Sequence, residues 1–439
     1  MANVELTPSM LARIGLAAAN YTRGGLFLVG HDTRTSSQMV ESAFVSGLIS
    51  GGCEVLELGL APTPAVAYQT RSMSTRSGAS ITASHNPPEY NGVKLFNPDT
   101  IAYSDEQQVE VDRMVQSEAL VRSKWSGIGR IVGTAGLDEY ISMIVRTVRL
   151  RREWKVAIDP GCGATCNLAP TIFRMLGCKV FTINAQPDGF FPGRNPEPTP
   201  SSLANLCGLV RELGRDLGVA YDGDGDRMVL VDERGLPIPA DRLLAAYAGY
   251  LIAKSGRGKV VVHVDTSLCV DRMVESAGGQ LVRTKVGDVN IAQSIRGEGA
   301  VFGGEPVGAW IHPEHHLCPD GILSSALVLA AIEDVGGSVS GFTSQVPVFY
   351  VFRGKVECPV GAMTKVVERA ASELPRVFGD TKEVTTIDGV RIDTAEGWIL
   401  IRPSGTEPIV RVTAESSEAR VAEKNLARAV ELVRRLMKE

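Results

Sequence analysis

One pattern occurs three times along the chain: an apolar strand ending at an aspartate, small or hydroxylic residues, a helical stretch, glycine, and a second strand. The copies open at LFLVGHDTRTSS, WKVAIDPGCGAT and KVVVHVDTSLCV, and their first strands end at Asp32, Asp159 and Asp265. Gly51 and Gly52, Gly177, and Gly278 and Gly279 close the helices, and the second strands read CEVLELG, CKVFTINA and QLVRTKVG. Strands joined through a helix run parallel, with a right-handed crossover. The repeat therefore predicts three βαβ units built on parallel sheets.

From about residue 384 the pattern changes to short strands, VTTI, VRID, WILIRP and IVRVTAES, followed by an amphipathic helix, ARVAEKNLARAVELVRRLMKE. That end reads as a smaller α+β domain. Joints are expected near Gly133, at the turn Glu233 to Gly235, and around Gly341 to Pro347, dividing the chain into 1–133, 134–234, 235–345 and 346–439. Length alone, 439 residues, suggests about three domains, and the repeats argue for four.

Lysine plus arginine number 45 against 50 acidic residues, a net charge of -5, so no global field draws nucleic acid or an anionic membrane. The longest apolar run, Gly321 to Ile332, is shorter than the roughly 18 residues a membrane span needs. The amino terminus, MANVELTPSM, has no basic region followed by an apolar run, and a cytoplasmic location is expected. Eight cysteines without C-x-x-C spacing predict reduced, mostly buried thiols.

Four segments carry chemistry. In TASHNPPEYNGVKLF, residues 82–96, Ser84 lies on a loop stiffened by Asn86, Pro87 and Pro88, beside His85 and ten positions before Lys94. That suits a nucleophile or phosphate carrier, with a surface loop whose Ser84 bonds its own backbone as the alternative. A serine hydrolase is disfavoured, because no G-x-S-x-G elbow is present and a histidine adjacent in sequence is expected to point elsewhere.

In VAYDGDGDRMVLVD, residues 219–232, Asp222, Asp224 and Asp226 alternate with Gly223 and Gly225. Two such charges about 4 Å apart repel by roughly 4 kcal/mol at a surface-like dielectric, so three converging carboxylates call for a cation. An all-oxygen set with open positions favours Mg²⁺. An EF-hand is excluded by Arg227 at its sixth position and by strand-like flanks.

The third segment, FGGEPVGAWIHPEHHLCPDG (302–321), holds Glu305 and Trp310 in a constrained loop suited to reading a ligand. His312, His315, His316 and Cys318 make only a weak zinc pattern. In the fourth, ILIRPSGTEPIVRV (399–412), Arg402, Ser404, Gly405, Thr406 and Arg411 surround a turn and offer a cradle for a phosphate dianion.

With TASHNP, DGDGDR, a GE-type sugar loop and RPSGTEP in this order over essentially the whole chain, the sequence resembles the α-D-phosphohexomutase family. The resemblance implies three related mixed-sheet α/β domains and a smaller α+β C-terminal domain, in a heart-shaped four-domain arrangement around a central cleft. It implies that Ser84 carries a phosphoryl group, exchanging the 1- and 6-phosphates of an aldohexose through a sugar bisphosphate that also serves as activator. One Mg²⁺ per chain would be held by Asp222, Asp224, Asp226 and an oxygen on Ser84. His85 and Lys94 would move the proton, Arg227 would contact substrate near the metal, and Arg402, Ser404, Gly405, Thr406 and Arg411 would hold the non-reacting phosphate. The partner is a small hexose phosphate, without nucleic acid or membrane, and the chain a monomer or homodimer.

The sugar loop departs from the common GE-x-S-G-H form, since Pro306, Val307, Gly308, Ala309 and Trp310 follow Glu305, and His312 is the candidate to replace the lost imidazole. The extended loop, including Gly308, resembles archaeal-type phosphoglucosamine mutases, and Glu305 or Asp288 would suit a cationic amino group as well as neutral hydroxyls. The family also opens with a G-T-x-G-x-R-G segment before the stretch matching ANVELTP, where this chain starts at Met1, so a first-strand piece and an arginine are expected to be missing. Glucosamine phosphate is the expected substrate, a phosphomannomutase or phosphoglucomutase is the alternative, and a silent metal-binding scaffold and a phosphatase are the more distant rival readings.

Overall fold

The computed structural model describes residues 1–117, 119–405 and 407–438. Its contacts divide the chain into two compact units, one of residues 1–240 and 301–344, the other of 241–300 and 345–439.

In the first unit, β1 (Leu26–His31), β2 (Glu54–Leu60), β3 (Ser77–Ile81), β4 (Val93–Phe96) and β5 (Ile131–Thr134) form a sheet of order β4-β3-β1-β2-β5. A second sheet has β6 (Lys155–Asp159), β7 (Lys179–Thr182), β8 (Leu217–Tyr221) and β9 (Met228–Val231) in the order β7-β6-β8-β9. Strands β1, β2 and β3 pair in parallel, as do β6, β7 and β8, through the crossover helices that the repeat predicts. The centre of β1, Phe27 to Val29, is buried on both faces, and Phe27, Val29 and Val55 pack with Leu48 and Phe44 of the helix Ser37–Ser50.

The mixed sheets that the resemblance implies arise at one edge of each. Strand β4 returns antiparallel to β3, and β9 antiparallel to β8. A loop too short for a crossover helix forces this reversal. The fold class is thus mixed-sheet α/β, and the reversals position the chemistry: Ser84 lies on the β3–β4 connection and the Asp222 trio on β8–β9. In the third repeat β12 (Phe302–Gly304) and β13 (Trp310–Ile311) form the corresponding antiparallel hairpin, with Glu305 in its loop. Gly133, an expected joint, lies inside β5.

In the second unit, β10 (Lys259–His263) pairs in parallel with β11 (Gln280–Thr284). The C-terminal sheet is antiparallel, with β14 (Tyr350–Glu357), β15 (Glu383–Thr385), β16 (Val390–Asp393), β17 (Gly397–Pro403) and β18 (Ile409–Ser416) in the order β14-β18-β17-β16-β15. Its core packs Ile399, Ile401, Val410 and Val412 against the helices Val360–Phe378 and Ala419–Lys438. Strand β14 and the first of these helices lie within the expected span 346–439 but before residue 384, where the run of short strands begins.

Candidate active site

Strand β1 delivers Asp32, which is 1% exposed, to the sheet end, where four donors saturate its carboxylate. These are the Arg34 N–H (3.0 Å), Arg34 Nε (2.9 Å), Ser37 Oγ (2.7 Å) and Thr82 Oγ1 (2.7 Å). Arg34 in turn donates to the carbonyls of Ser84 (2.8 Å), Asn86 (2.7 Å) and Tyr90 (3.0 Å), and to that of Pro87. The Ser84 N–H is taken by Thr82 Oγ1 at 2.8 Å. These bonds hold Ser84 in the left-handed region, φ +48°, a conformation that costs a non-glycine residue about 1 kcal/mol.

The second repeat uses the same device. Asp159 binds Arg194 Nε at 3.0 Å, and Arg194 donates to the carbonyls of Asn195 (3.0 Å) and Pro196 (3.3 Å), and to that of Tyr221, the residue before the acidic trio. Asp222, Asp224 and Asp226 are buried, and an oxygen from each lies within 4.8 Å of the others. Ser84 Oγ donates to Asp222 Oδ2 at 2.8 Å, while Asp222 Oδ1 accepts from the N–H groups of Gly225 (3.0 Å) and Arg227 (3.1 Å). A Cβ on Gly223 would stand 2.5 Å from the Ser84 carbonyl oxygen, so only glycine permits this approach.

Burial, followed by the Asp224 and Asp226 charges, pushes the Asp222 carboxyl well above the ordinary carboxylate range. Asp224 Oδ1 is buried with no hydrogen-bond donor. Among the described residues this trio is the one acidic, thiol or imidazole group close enough to hold a metal ion. A compact all-oxygen set with an orphaned oxygen fits a hard divalent cation.

Lys94 on β4 places Nζ 3.4 Å from Asp226 Oδ2. His85 does not point elsewhere: its Nδ1 is 3.3 Å from Ser84 Oγ. Burial and the Arg227 charge hold the His85 imidazole below its usual range. Arg227 reaches Glu197 at 3.6 Å and Asp226 at 3.9 Å, and Glu305 adds to the acidic field around it. Gly308 has a packing role, since it is buried at φ +84° and its carbonyl accepts the Met228 N–H at 3.1 Å. His312 is no replacement for the missing imidazole: it is buried, with Nε2 3.0 Å from Ser324 Oγ. His316 likewise binds Asp320 at 3.0 Å, which takes the zinc pattern out of consideration.

The second unit holds the remaining predicted residues. Asp288 opens the helix Asp288–Glu298. Arg402 lies 3.8 Å from Asp388, Arg411 binds Glu407 at 2.6 Å, and Ser404 Oγ accepts the Glu407 N–H at 3.3 Å. Gly405 is exposed, and Thr406 lies outside the described residues. Arg402 and Arg411 line a cavity of about 390 Å³ together with Arg353, Lys355 and Asp265. Sequence reasoning missed Arg353 and Lys355, whose signal was the alternation of charge along YVFRGKVE.

A serine hydroxyl on a cation-binding carboxylate trio, set on repeated α/β sheets, defines a phosphoryl-transfer protein. Models of the phosphoglucomutase/phosphomannomutase α/β/α domains I, II and III match residues 1–122, 138–235 and 239–349, and the model of the C-terminal domain matches 359–432. The chain belongs to the phosphoglucomutase/phosphomannomutase family, whose members are isomerases.

It is 45% identical over 413 residues, 94% of this chain and 90% of the relative, to a probable phosphoglucosamine mutase of Methanothermobacter thermautotrophicus. A probable phosphoglucosamine mutase of Pyrococcus abyssi is 42% identical over 437 residues, 100% of this chain and 96% of the relative. Among solved structures, a phosphoglucomutase/phosphomannomutase family protein of Burkholderia thailandensis matches with a TM-score of 0.85 at 25% identity, over 99% of this chain and 94% of that one.

Proposed function

We propose that the protein interconverts the 6- and 1-phosphates of an aldohexose, with glucosamine phosphate as substrate, in the cytoplasm. The observation that carries this reading is Ser84 Oγ held 2.8 Å from Asp222 Oδ2 inside a buried carboxylate trio. The glucosamine assignment is supported by the names of the archaeal relatives, and Glu305 and Asp288 are the carboxylates whose charge would suit an amino group. The four-domain division given above accompanies this reading.

The bond between phosphorus and Ser84 Oγ breaks as a bond to a sugar hydroxyl oxygen forms, and the hydroxyl proton leaves to a base. A His85 held neutral by burial suits that acceptor, and Lys94, beside Asp226, is the alternative. After the bisphosphate has turned around, its other phosphate passes to Ser84 Oγ as the bond to the sugar oxygen breaks, and that oxygen takes the proton back, which balances the exchange. Asp222, Asp224, Asp226 and an oxygen on Ser84 would hold one Mg²⁺, which when bound neutralises charge on the transferring group. Arg402, Ser404, Thr406 and Arg411 take the phosphate that does not react, and a sugar bisphosphate restores the phosphoserine when it is lost.

A coupled assay with Mg²⁺ and a trace of sugar bisphosphate, comparing the 1-phosphates of glucosamine, glucose and mannose, tests this. Fastest turnover of glucosamine phosphate is expected. Preference for another hexose overturns the substrate assignment, and phosphate release without isomer identifies a phosphatase.

A further inference from the structure

The trio is held unevenly. Both oxygens of Asp222 accept protein donors, whereas Asp224 accepts on Oδ2 alone, from Thr63 Oγ1 at 2.6 Å. Thr63 begins the helix Thr63–Ser72, between Pro62 and Pro64, and is fully buried. The first N–H groups of a helix have no partner within it. That of Thr63 donates instead to the Asp224 backbone carbonyl at 2.9 Å, so one residue grips Asp224 by both main chain and side chain.

The direction of the hydroxyl bonds follows from proton counting. An ionised carboxylate only accepts, so the single Thr63 hydroxyl proton is committed to Asp224. Ser80 Oγ, on β3 and 2.8 Å from Thr63 Oγ1, must then be the donor to Thr63. Ser80 is 1% exposed, which leaves no bulk water to replace either bond. The result is a buried chain from Ser80 through Thr63 to Asp224 Oδ2, in which each bond polarises the next.

Resting on the cation reading above, we propose that Thr63 is the positioning residue that turns Asp224 so that Oδ1 faces the cation, with Ser80 holding the Thr63 hydroxyl in line. A carboxylate oxygen left buried without a donor is unfavourable, and a bound cation removes that cost. Partners that orient a metal ligand commonly change affinity about 10–100-fold when removed. Thr63 touches neither substrate nor reacting atoms in this scheme, and its effect is transmitted through Asp224.

The test uses Mn²⁺ as the probe, with free ion followed by electron paramagnetic resonance, on the whole protein and on Thr63→Val, Thr63→Ser and Ser80→Ala. Valine keeps the shape and backbone bond of Thr63 but lacks its hydroxyl, and is expected to bind Mn²⁺ about 10–100-fold more weakly. Serine should restore affinity to within about twofold, and Ser80→Ala should fall between them. A merely structural role would lower the thermal midpoint without moving Mn²⁺ affinity. Equal affinity of Thr63→Val and the unaltered protein overturns the proposal, and if Thr63→Val does not fold, equal affinity of Ser80→Ala does so. Failure of the unaltered protein to bind Mn²⁺ at all removes the cation reading itself, and this proposal with it.

Discussion

At the Ser84 and Asp222 loops, arginines are directed at the protein's own backbone. Arg34 and Arg194, both buried, each pair with a strand-ending aspartate; Arg34 fills the carbonyls of the Ser84 loop, and Arg194 those of Asn195, Pro196 and Tyr221, the residue before the trio. At the turn between Arg402 and Arg411, the arginines reach side-chain carboxylates instead, and Arg411 is 42% exposed. The first arrangement fixes a geometry before any ligand arrives. The second offers guanidinium groups whose carboxylate partners a phosphate can replace, because exposed ion pairs are worth about 0–1 kcal/mol. In the proposed reaction, preorganisation would belong to the group that reacts, and exchangeable pairing to the group that only binds.

Four substitutions and conditions sharpen this contrast. Ser84→Ala should lower isomerase turnover by about 10³-fold or more with little loss of stability, read from the coupled assay beside a thermal melt. Arg34→Ala should cost about 3–5 kcal/mol by chemical denaturation, because it leaves Asp32 buried and unpaired. Arg411→Gln should raise KM about tenfold while changing stability by less than about 0.5 kcal/mol. An Arg411 variant that unfolds, or an Arg34 variant that only raises KM, would break the comparison.

The smallest effect concerns pH. Asp222 is pushed above the ordinary carboxylate range, so between its unfolded and folded titrations the native state binds more protons than the unfolded state. Stability of the metal-free protein should therefore fall as pH rises above the ordinary carboxylate range, and Mg²⁺ should reverse that fall while releasing protons. Thermal melts across pH, with and without Mg²⁺, check the sign.

Much of the site was legible because its residue types are chemically restrictive: Asp222, Asp224 and Asp226 in alternation leave few purposes other than a cation, and the repeats at Asp32, Asp159 and Asp265 announced the sheets. Arg34, Arg194 and Thr63 were not legible, since the two arginines act on backbone carbonyls, to which no residue type is a guide, and Thr63 on a carboxylate distant in sequence. Thr63 and Asp224 stand 161 positions apart. The antiparallel edges were legible only through the family resemblance, which implies mixed sheets. A short strand such as β4 reads the same whichever way it pairs, and only the length of the β3–β4 loop decides. His312 misled because a histidine in a ligand-like loop and one satisfied by Ser324 share a sequence signature.

The central claim is that Ser84 carries the phosphoryl group. Incubation with glucose 1,6-bisphosphate and Mg²⁺ followed by peptide mass analysis should place one phosphate on Ser84, and addition of hexose monophosphate should remove it while bisphosphate forms. A protein that isomerises hexose phosphates without phosphate ever appearing on Ser84, or with Ser84→Ala fully active, would contradict the account.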